Sequence, residues 1–209
     1  MKAVILCDGR PPAADVLNRF LNEASLFIAA DGGALTAHAM GLHPEVIIGD
    51  FDSFTPGGDE LSEVISDPDQ ETNDLEKALL YALKKDVLEV TVFGATGNRL
   101  DHTLKNLSVL KQFHQKFKKI SFRDRYADIF MAESPFRKEL PVHTSISLFP
   151  LSGKVTGITT RGLRYPLNRE TLENGVRDGT SNETIQNVVE IEFEKGDLLV
   201  FINHKTEED

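Results

Sequence analysis

The chain has 209 residues, 40 % of them hydrophobic and 27 % charged, and a formal net charge of −10. That is enough apolar material for one large or two modest globular domains, and the acidic balance disfavours nucleic acid and anionic membranes as partners. The lone cysteine, Cys7, excludes an intramolecular disulfide and fits a reducing, cytoplasmic setting; the apolar N-terminal run is too short for a signal peptide or a membrane span.

Strand and helix signals alternate at first. Residues 3–7 form a continuous apolar run, as expected of a strand buried on both faces. Residues 13–24 carry Val16, Leu17, Phe20 and Leu21 at helical spacing, 26–30 read as a second strand, 35–40 as a short helix and 46–48 as a third strand. Asn73 reads as a helix cap with Glu76 three positions on, and Leu75, Ala78, Leu79, Ala82 and Leu83 make one apolar face. A strand at 89–93, a helix at 101–117 and strands at 119–122 and 129–132 follow. Beyond about Glu133 the pattern changes to short strands at 145–149, 155–159, 188–193 and 198–202, separated by Gly, Pro, Asn and Asp. The expected fold class is α/β. A mostly parallel α/β/α sandwich spans 1–134, a small antiparallel β-sandwich or barrel spans 135–209, and residues 205–209 form a frayed polar tail.

Three constellations carry chemistry, and each follows a strand or opens a helix of the parallel sheet. Ile47-Ile48-Gly49-Asp50-Phe51-Asp52-Ser53 sets two carboxylates after a buried strand. A turn after Gly49 can bring both onto one hard cation such as Mg²⁺, although Asp-x-Asp alone also describes an ordinary solvated loop. In Asp69-Gln70-Glu71-Thr72-Asn73-Asp74-Leu75-Glu76-Lys77, a cap at Asn73 places Asp74 in the first helical turn, with Lys77 one turn on and able to reach a phosphate. In Gly94-Ala95-Thr96-Gly97-Asn98-Arg99-Leu100-Asp101-His102, a glycine-bearing loop opens a helix, a ready anion site, and Arg99 adds a forked donor. Asp101 also suits a helix cap and His102 a structural role. Neither G-x-x-x-x-G-K-[ST] nor G-x-G-x-x-G occurs at the expected place. Ligands of parallel sheets bind beyond the carboxyl ends of the strands, so the three should converge there and suit metal-assisted phosphoryl or pyrophosphoryl transfer.

Taken in order, these motifs resemble the thiamine pyrophosphokinase family. The match adds Ala30-Asp31-Gly32-Gly33-Ala34, Gly162-Leu163-Arg164-Tyr165-Pro166-Leu167 and Gly179-Thr180-Ser181-Asn182, and runs along essentially the whole chain. The resemblance implies pyrophosphoryl transfer from Mg·ATP to the thiamine hydroxyl. It implies Asp50, Asp52 and Asp74 on magnesium, and Asp31, Gly32, Ser53, Gln70, Lys77, Arg99 and Asn106 on ATP. Thiamine would meet Gln70, Asn73, Asp101, Tyr165, Thr180, Ser181 and Asn182, with Asp101 and Asp74 as candidate catalytic carboxylates. A homodimer with active sites shared between subunits is implied too.

Two positions depart from the family pattern. Asn73 stands where Thr is frequent, and Tyr165 stands where many members place Trp, of which this chain has none. Asn still caps, and Tyr still stacks on a cationic ring. The same acidic cluster would serve a magnesium-dependent phosphohydrolase. A non-catalytic thiamine or nucleotide sensor could lose the carboxylates, so their presence favours turnover.

Overall fold

Burial on two faces explains why the apolar runs become parallel strands. The computed structural model describes residues 1–55, 57 and 61–204, and the expected tail at 205–209 lies outside them. Contacts divide the chain into Met1–Arg125 and Tyr126–Asp209, a division nine residues before the change of pattern read at Ser134.

In the first unit β1 (Lys2–Leu6), β2 (Leu26–Ala30), β3 (Val46–Gly49), β4 (Glu63–Ser66), β5 (Glu89–Phe93) and β6 (Lys119–Arg123) pair in parallel. Their spatial order is β4-β3-β2-β1-β5-β6. Register sets Val4 beside Phe27, Leu6 beside Ala29 and Ala29 beside Ile47, so these side chains share a face. They pack with Leu17 of α1 (Ala14–Leu21) and with Ala34 and Ala37 of α2 (Gly33–Ala39). Ile5, Ile28 and Ile48 point the other way and are equally buried. There α3 (Asp74–Lys84) meets β1, β2 and β3, and α4 (Leu100–Phe113) meets β6 and α3. Helices thus cover both faces, as the apolar runs require.

The expected cap is present. Asn73 accepts a hydrogen bond from the backbone N–H of Glu76, whose side chain accepts one from the backbone of Asn73. Leu75, Ala78, Leu79 and Ala82 are the buried stripe of α3. Helix α4 stops at Phe113 rather than at 117, and Phe117 stacks on Phe113 from outside the helix, centroids 6.4 Å apart. The chain runs outward through β2, β3 and β4, then returns through α3 to lay β5 against the opposite edge of β1. The crevice at the carboxyl ends of β1 and β5 is therefore the switch point of the sheet, the usual ligand site of this architecture.

The second unit contains no helix among its described residues. β7 (Ala127–Met131), β9 (Ser145–Pro150), β12 (Gly179–Glu183) and β14 (Leu198–Asn203) form an antiparallel sheet ordered β12-β9-β14-β7. β8 (Phe136–Glu139), β10 (Lys154–Arg161), β11 (Glu170–Glu173) and β13 (Val188–Glu192) form a second, ordered β11-β10-β13-β8. Ile146, Leu148, Val200, Val155, Ile158, Val189 and Ile191 meet in one core between them, which makes the unit a sandwich. Strand β7, with the first part by its sequence, pairs with β14 here.

Candidate active site

A cleft of about 340 Å³ opens at the switch point. Cys7, Asp8 and Gly9 line it from the end of β1; Ala30, Asp31 and Gly32 from β2; Asp52 and Ser53 from the loop after β3. Asn73, Asp74 and Leu75 enter at the start of α3, and Gly94, Ala95, Gly97, Asn98, Arg99, His102 and Asn106 from the β5–α4 segment. The loops after β1 and β5 run side by side. The backbone N–H groups of Gly9 and Arg10 donate to the carbonyls of Gly94 and Thr96, both at 2.8 Å. Such closeness needs glycine: a Cβ on Gly94, whose φ is +66°, would lie 2.2 Å from the Cys7 carbonyl oxygen.

Asp31, Asp50 and Asp74 bring carboxylate oxygens within 4.8 Å of one another. Three chain breaks cause this convergence. Asp31 leaves β2 at a positive φ of 39°, Phe51 turns the chain after β3 at 61°, and Asp74 is fixed by the capping box. Gly49 makes room, because a Cβ there would sit 2.7 Å from Cβ of Asp31.

Burial is the main cause that raises the Asp31 carboxyl above the ordinary range. Hydrogen bonding from Ser53 opposes it, and the charges of Asp74 and Asp52 add to it. The Asp74 carboxyl is raised too, first by burial and then by Asp50 and Asp52, against the pull of Lys77. Asp50 is held low, chiefly by the hydrogen bond from the Gln70 amide at 2.9 Å. One oxygen of Asp31 accepts from the backbone of Ser53 at 3.2 Å; the other, Oδ1, is buried with no hydrogen-bond partner. Crowded hard oxygens, two carboxyls pushed upward and an orphaned buried oxygen together fit the donor set of a small divalent cation. Cys7, beside them, is raised by burial and then by Asp74 and Asp8, so it stays a thiol.

The other expected residues divide by place. Asp52 lines the cleft, but its Oδ1 accepts from the Ser53 hydroxyl at 2.9 Å, and it stands outside the close trio, in which Asp31 takes part. Lys77 is not a solvated charge: its side chain is 2 % exposed, with Nζ 3.3 Å from Asp74 Oδ1. Arg99 sits at the N-cap of α4 without capping it. Its guanidinium grips Asp101 at 3.1 and 2.5 Å, on the exposed first turn, and that grip is the main cause that holds the Asp101 carboxyl low. Asp101 is neither the cap of α4 nor a cleft-lining residue. Asn73 and Asn106 spend their amides on each other and on the Ala95 carbonyl.

In the second unit Tyr165 is 66 % exposed, not a packed strand aromatic. Asn182 is buried and grips the Tyr165 backbone from both sides, accepting from its N–H at 3.1 Å and donating to its carbonyl at 2.8 Å. Thr180 donates its hydroxyl to Asp178, and Ser181, at a φ of 58°, lies in an irregularity of the β12–β9 pairing. Sequence reasoning passed over Asp8 and Gly9. Their position directly after the first buried strand was the available signal.

Residues 17–122 match the family model described as thiamin pyrophosphokinase, catalytic domain, and residues 136–198 match thiamin pyrophosphokinase, vitamin B1 binding domain. Thiamine pyrophosphokinase of Bacillus subtilis (strain 168) is 30 % identical over 210 residues, covering 96 % of this chain and 98 % of that one. Thiamin pyrophosphokinase 1 of Caenorhabditis elegans is 28 % identical over 195 residues, covering 86 % and 80 %. The crystal structure of the Bacillus subtilis enzyme superposes with a TM-score of 0.85 at 28 % identity, covering 99 % of this chain and 100 % of that one. Yeast thiamin pyrophosphokinase superposes at 0.84 with 15 % identity, covering 97 % and 86 %, a likeness of fold.

Proposed function

The chain belongs to the thiamine pyrophosphokinase family, and from that premise we propose that it transfers a pyrophosphoryl group from ATP to the hydroxyl of thiamine, giving thiamine diphosphate and AMP. The observation that carries the reading is the acidic trio of Asp31, Asp50 and Asp74, set beside the glycine loop at the switch point. A phosphohydrolase explains less, because it does not account for a second unit that matches a vitamin B1 binding domain, and a sensor explains less, because it has no use for the clustered carboxylates.

Asp50 and Asp74, with Asp31 or Asp52, would hold magnesium, which when bound neutralises polyphosphate charge and polarises the phosphoryl group. The chain's own residues do the rest. The backbone N–H groups of the Gly94–Asn98 loop and the start of α4 face anionic oxygens. Arg99 offers a forked donor once Asp101 is drawn to the acceptor. Lys77 holds Asp74 from the buried side. Gln70 holds Asp50 ionised, ready for a cation. Asp101, exposed and held low by Arg99, suits orienting the thiamine hydroxyl rather than removing its proton. Tyr165, its backbone gripped by Asn182, presents an exposed ring for stacking on a flat cation.

With ATP, Mg²⁺ and thiamine, AMP and thiamine diphosphate are expected in equal amounts, and neither without the metal. Chromatography showing ADP and thiamine monophosphate instead would overturn the reading. The proposal extends to a cytoplasmic homodimer with active sites shared between subunits, since the carboxylates belong to the first unit and Tyr165 to the second. Refolding Asp101→Asn together with Tyr165→Ala then gives about a quarter of wild-type activity, because half the dimers are mixed and each has one intact site of two. No recovery despite verified exchange would rule sharing out. No helix among the described residues is long and apolar enough to cross a membrane.

A further inference from the structure

Asn106 lies nearly two turns into α4, 8 % exposed, with both polar atoms of its amide engaged. The direction of the chain of bonds through it follows from its ends. The backbone N–H of Glu76 can only donate, so Asn73 receives it on Oδ1 at 2.9 Å. Nδ2 of Asn73 then donates to Asn106 Oδ1 at 2.8 Å, which turns Nδ2 of Asn106 to the Ala95 carbonyl, also at 2.8 Å. Lys105, the preceding residue, reaches the buried carboxylate of Glu76 at 2.6 Å and ties the same two helices a second time.

Three pieces of the cleft are thus locked in register: the first turn of α3 with Asp74, the loop after β5, and α4. We propose that Asn106 is a positioning residue, holding the Asp74 carboxylate at a fixed distance from the glycine loop so that cation and polyphosphate are met by one rigid unit. It acts through Asp74 and Ala95 and need not touch the ligand. The role in turnover rests on the reaction proposed above; the effect on metal binding does not.

The test uses full-length Asn106→Ala, shown to be folded by circular dichroism, and two readouts. The first is the thermal shift produced by Mn²⁺ without nucleotide; the second is kcat and KM for ATP and for thiamine. The metal concentration giving half the shift should rise roughly tenfold, and kcat/KM for ATP should fall by about 10- to 100-fold, the usual scale for outer partners of metal ligands. KM for thiamine should change by less than about twofold on the same argument. Asn73→Ala combined with Asn106→Ala should be no worse than the poorer single variant, since both cut one link.

Wild-type metal shift and kcat/KM in folded Asn106→Ala would overturn the proposal, and so would additive losses in the double variant. If Asn106→Ala does not fold, Asn106→Asp decides: it keeps the acceptor for Asn73 but sets an oxygen against the Ala95 carbonyl, and wild-type values there would overturn the proposal. A wild-type protein that makes no thiamine diphosphate, while the variants still differ in metal shift, would sink the reaction and support the positioning role.

Discussion

Asp31→Asn is expected to stabilise the metal-free protein while lowering turnover on the order of 100-fold or more, the scale on which a lost ligand or its support acts. The two effects have one cause. Asp31 is almost fully buried, its Oδ1 has no hydrogen-bond partner, and Asp74 and Asp52 both push its carboxyl upward. An asparagine keeps the acceptor for the Ser53 N–H and turns an amide N–H₂ toward the other carboxylates. It also tolerates the positive φ of 39° at this position. One buried hydrogen bond gained and one repulsion removed should give about 1 kcal/mol, or roughly 2–4 °C in Tm for a chain of this size.

The pH dependence has a definite sign. Because the folded-state carboxyl is raised, the folded protein binds more protons than the unfolded chain between about pH 4 and the raised value. Wild-type metal-free stability therefore falls as pH rises through that window, and the variant should lose this part of the fall. Thermal melts with a chelator across that range, beside turnover with Mg²⁺, would check both. A variant less stable than wild type would show that Asp31 is not under electrostatic pressure.

The second large effect has the opposite sign in the same cluster. Lys77→Met should destabilise the protein by about 3 kcal/mol, the lower end of the range for breaking a buried ion pair, because water still reaches part of the Asp74 side chain. The Lys77 side chain is 2 % exposed, and its ammonium is the charge that opposes the upward push of burial, Asp50 and Asp52 on the Asp74 carboxyl. Losing it leaves Asp74 among like charges, whereas Asp74→Asn removes one of those charges and keeps an amide oxygen for the ammonium, so it should cost far less. The double variant should regain most of the stability lost in Lys77→Met, while all three stay nearly inactive. Urea unfolding of the four proteins measures this. If the double variant is as unstable as Lys77→Met alone, the lost compensation of charge is not the cause.

Much of this protein was legible in one dimension because the governing signals are local. The apolar runs at β1, β2, β3 and β5 announce strands covered on both faces, and Asn73 with Glu76 announces the start of α3. The four strands left unread, Glu63–Ser66, Phe136–Glu139, Glu170–Glu173 and Gly179–Glu183, are short and largely polar. Their backbones pair with neighbours while few side chains are buried, so no period-2 apolar pattern marks them.

The sequence by itself determined the two-part architecture, the family, and the three loops that converge at the carboxyl edge of the parallel sheet. Each follows from patterns within a dozen or so residues, where apolar period and cap chemistry act directly. Only the tertiary structure decided the partners: that Asp31 stands with Asp50 and Asp74 while Asp52 turns to Ser53, that Lys77 is buried, that Arg99 holds Asp101, and that Asn106 ties α4 to Asn73 and Ala95. The acidic trio and the links through Asn106 join separate elements that the parallel sheet brings together, while the pairs Asp52–Ser53, Asp74–Lys77 and Arg99–Asp101 are close in sequence but take their geometry from what packs around them. Burial and charge at each point depend on what arrives from elsewhere, which no local window of the sequence contains.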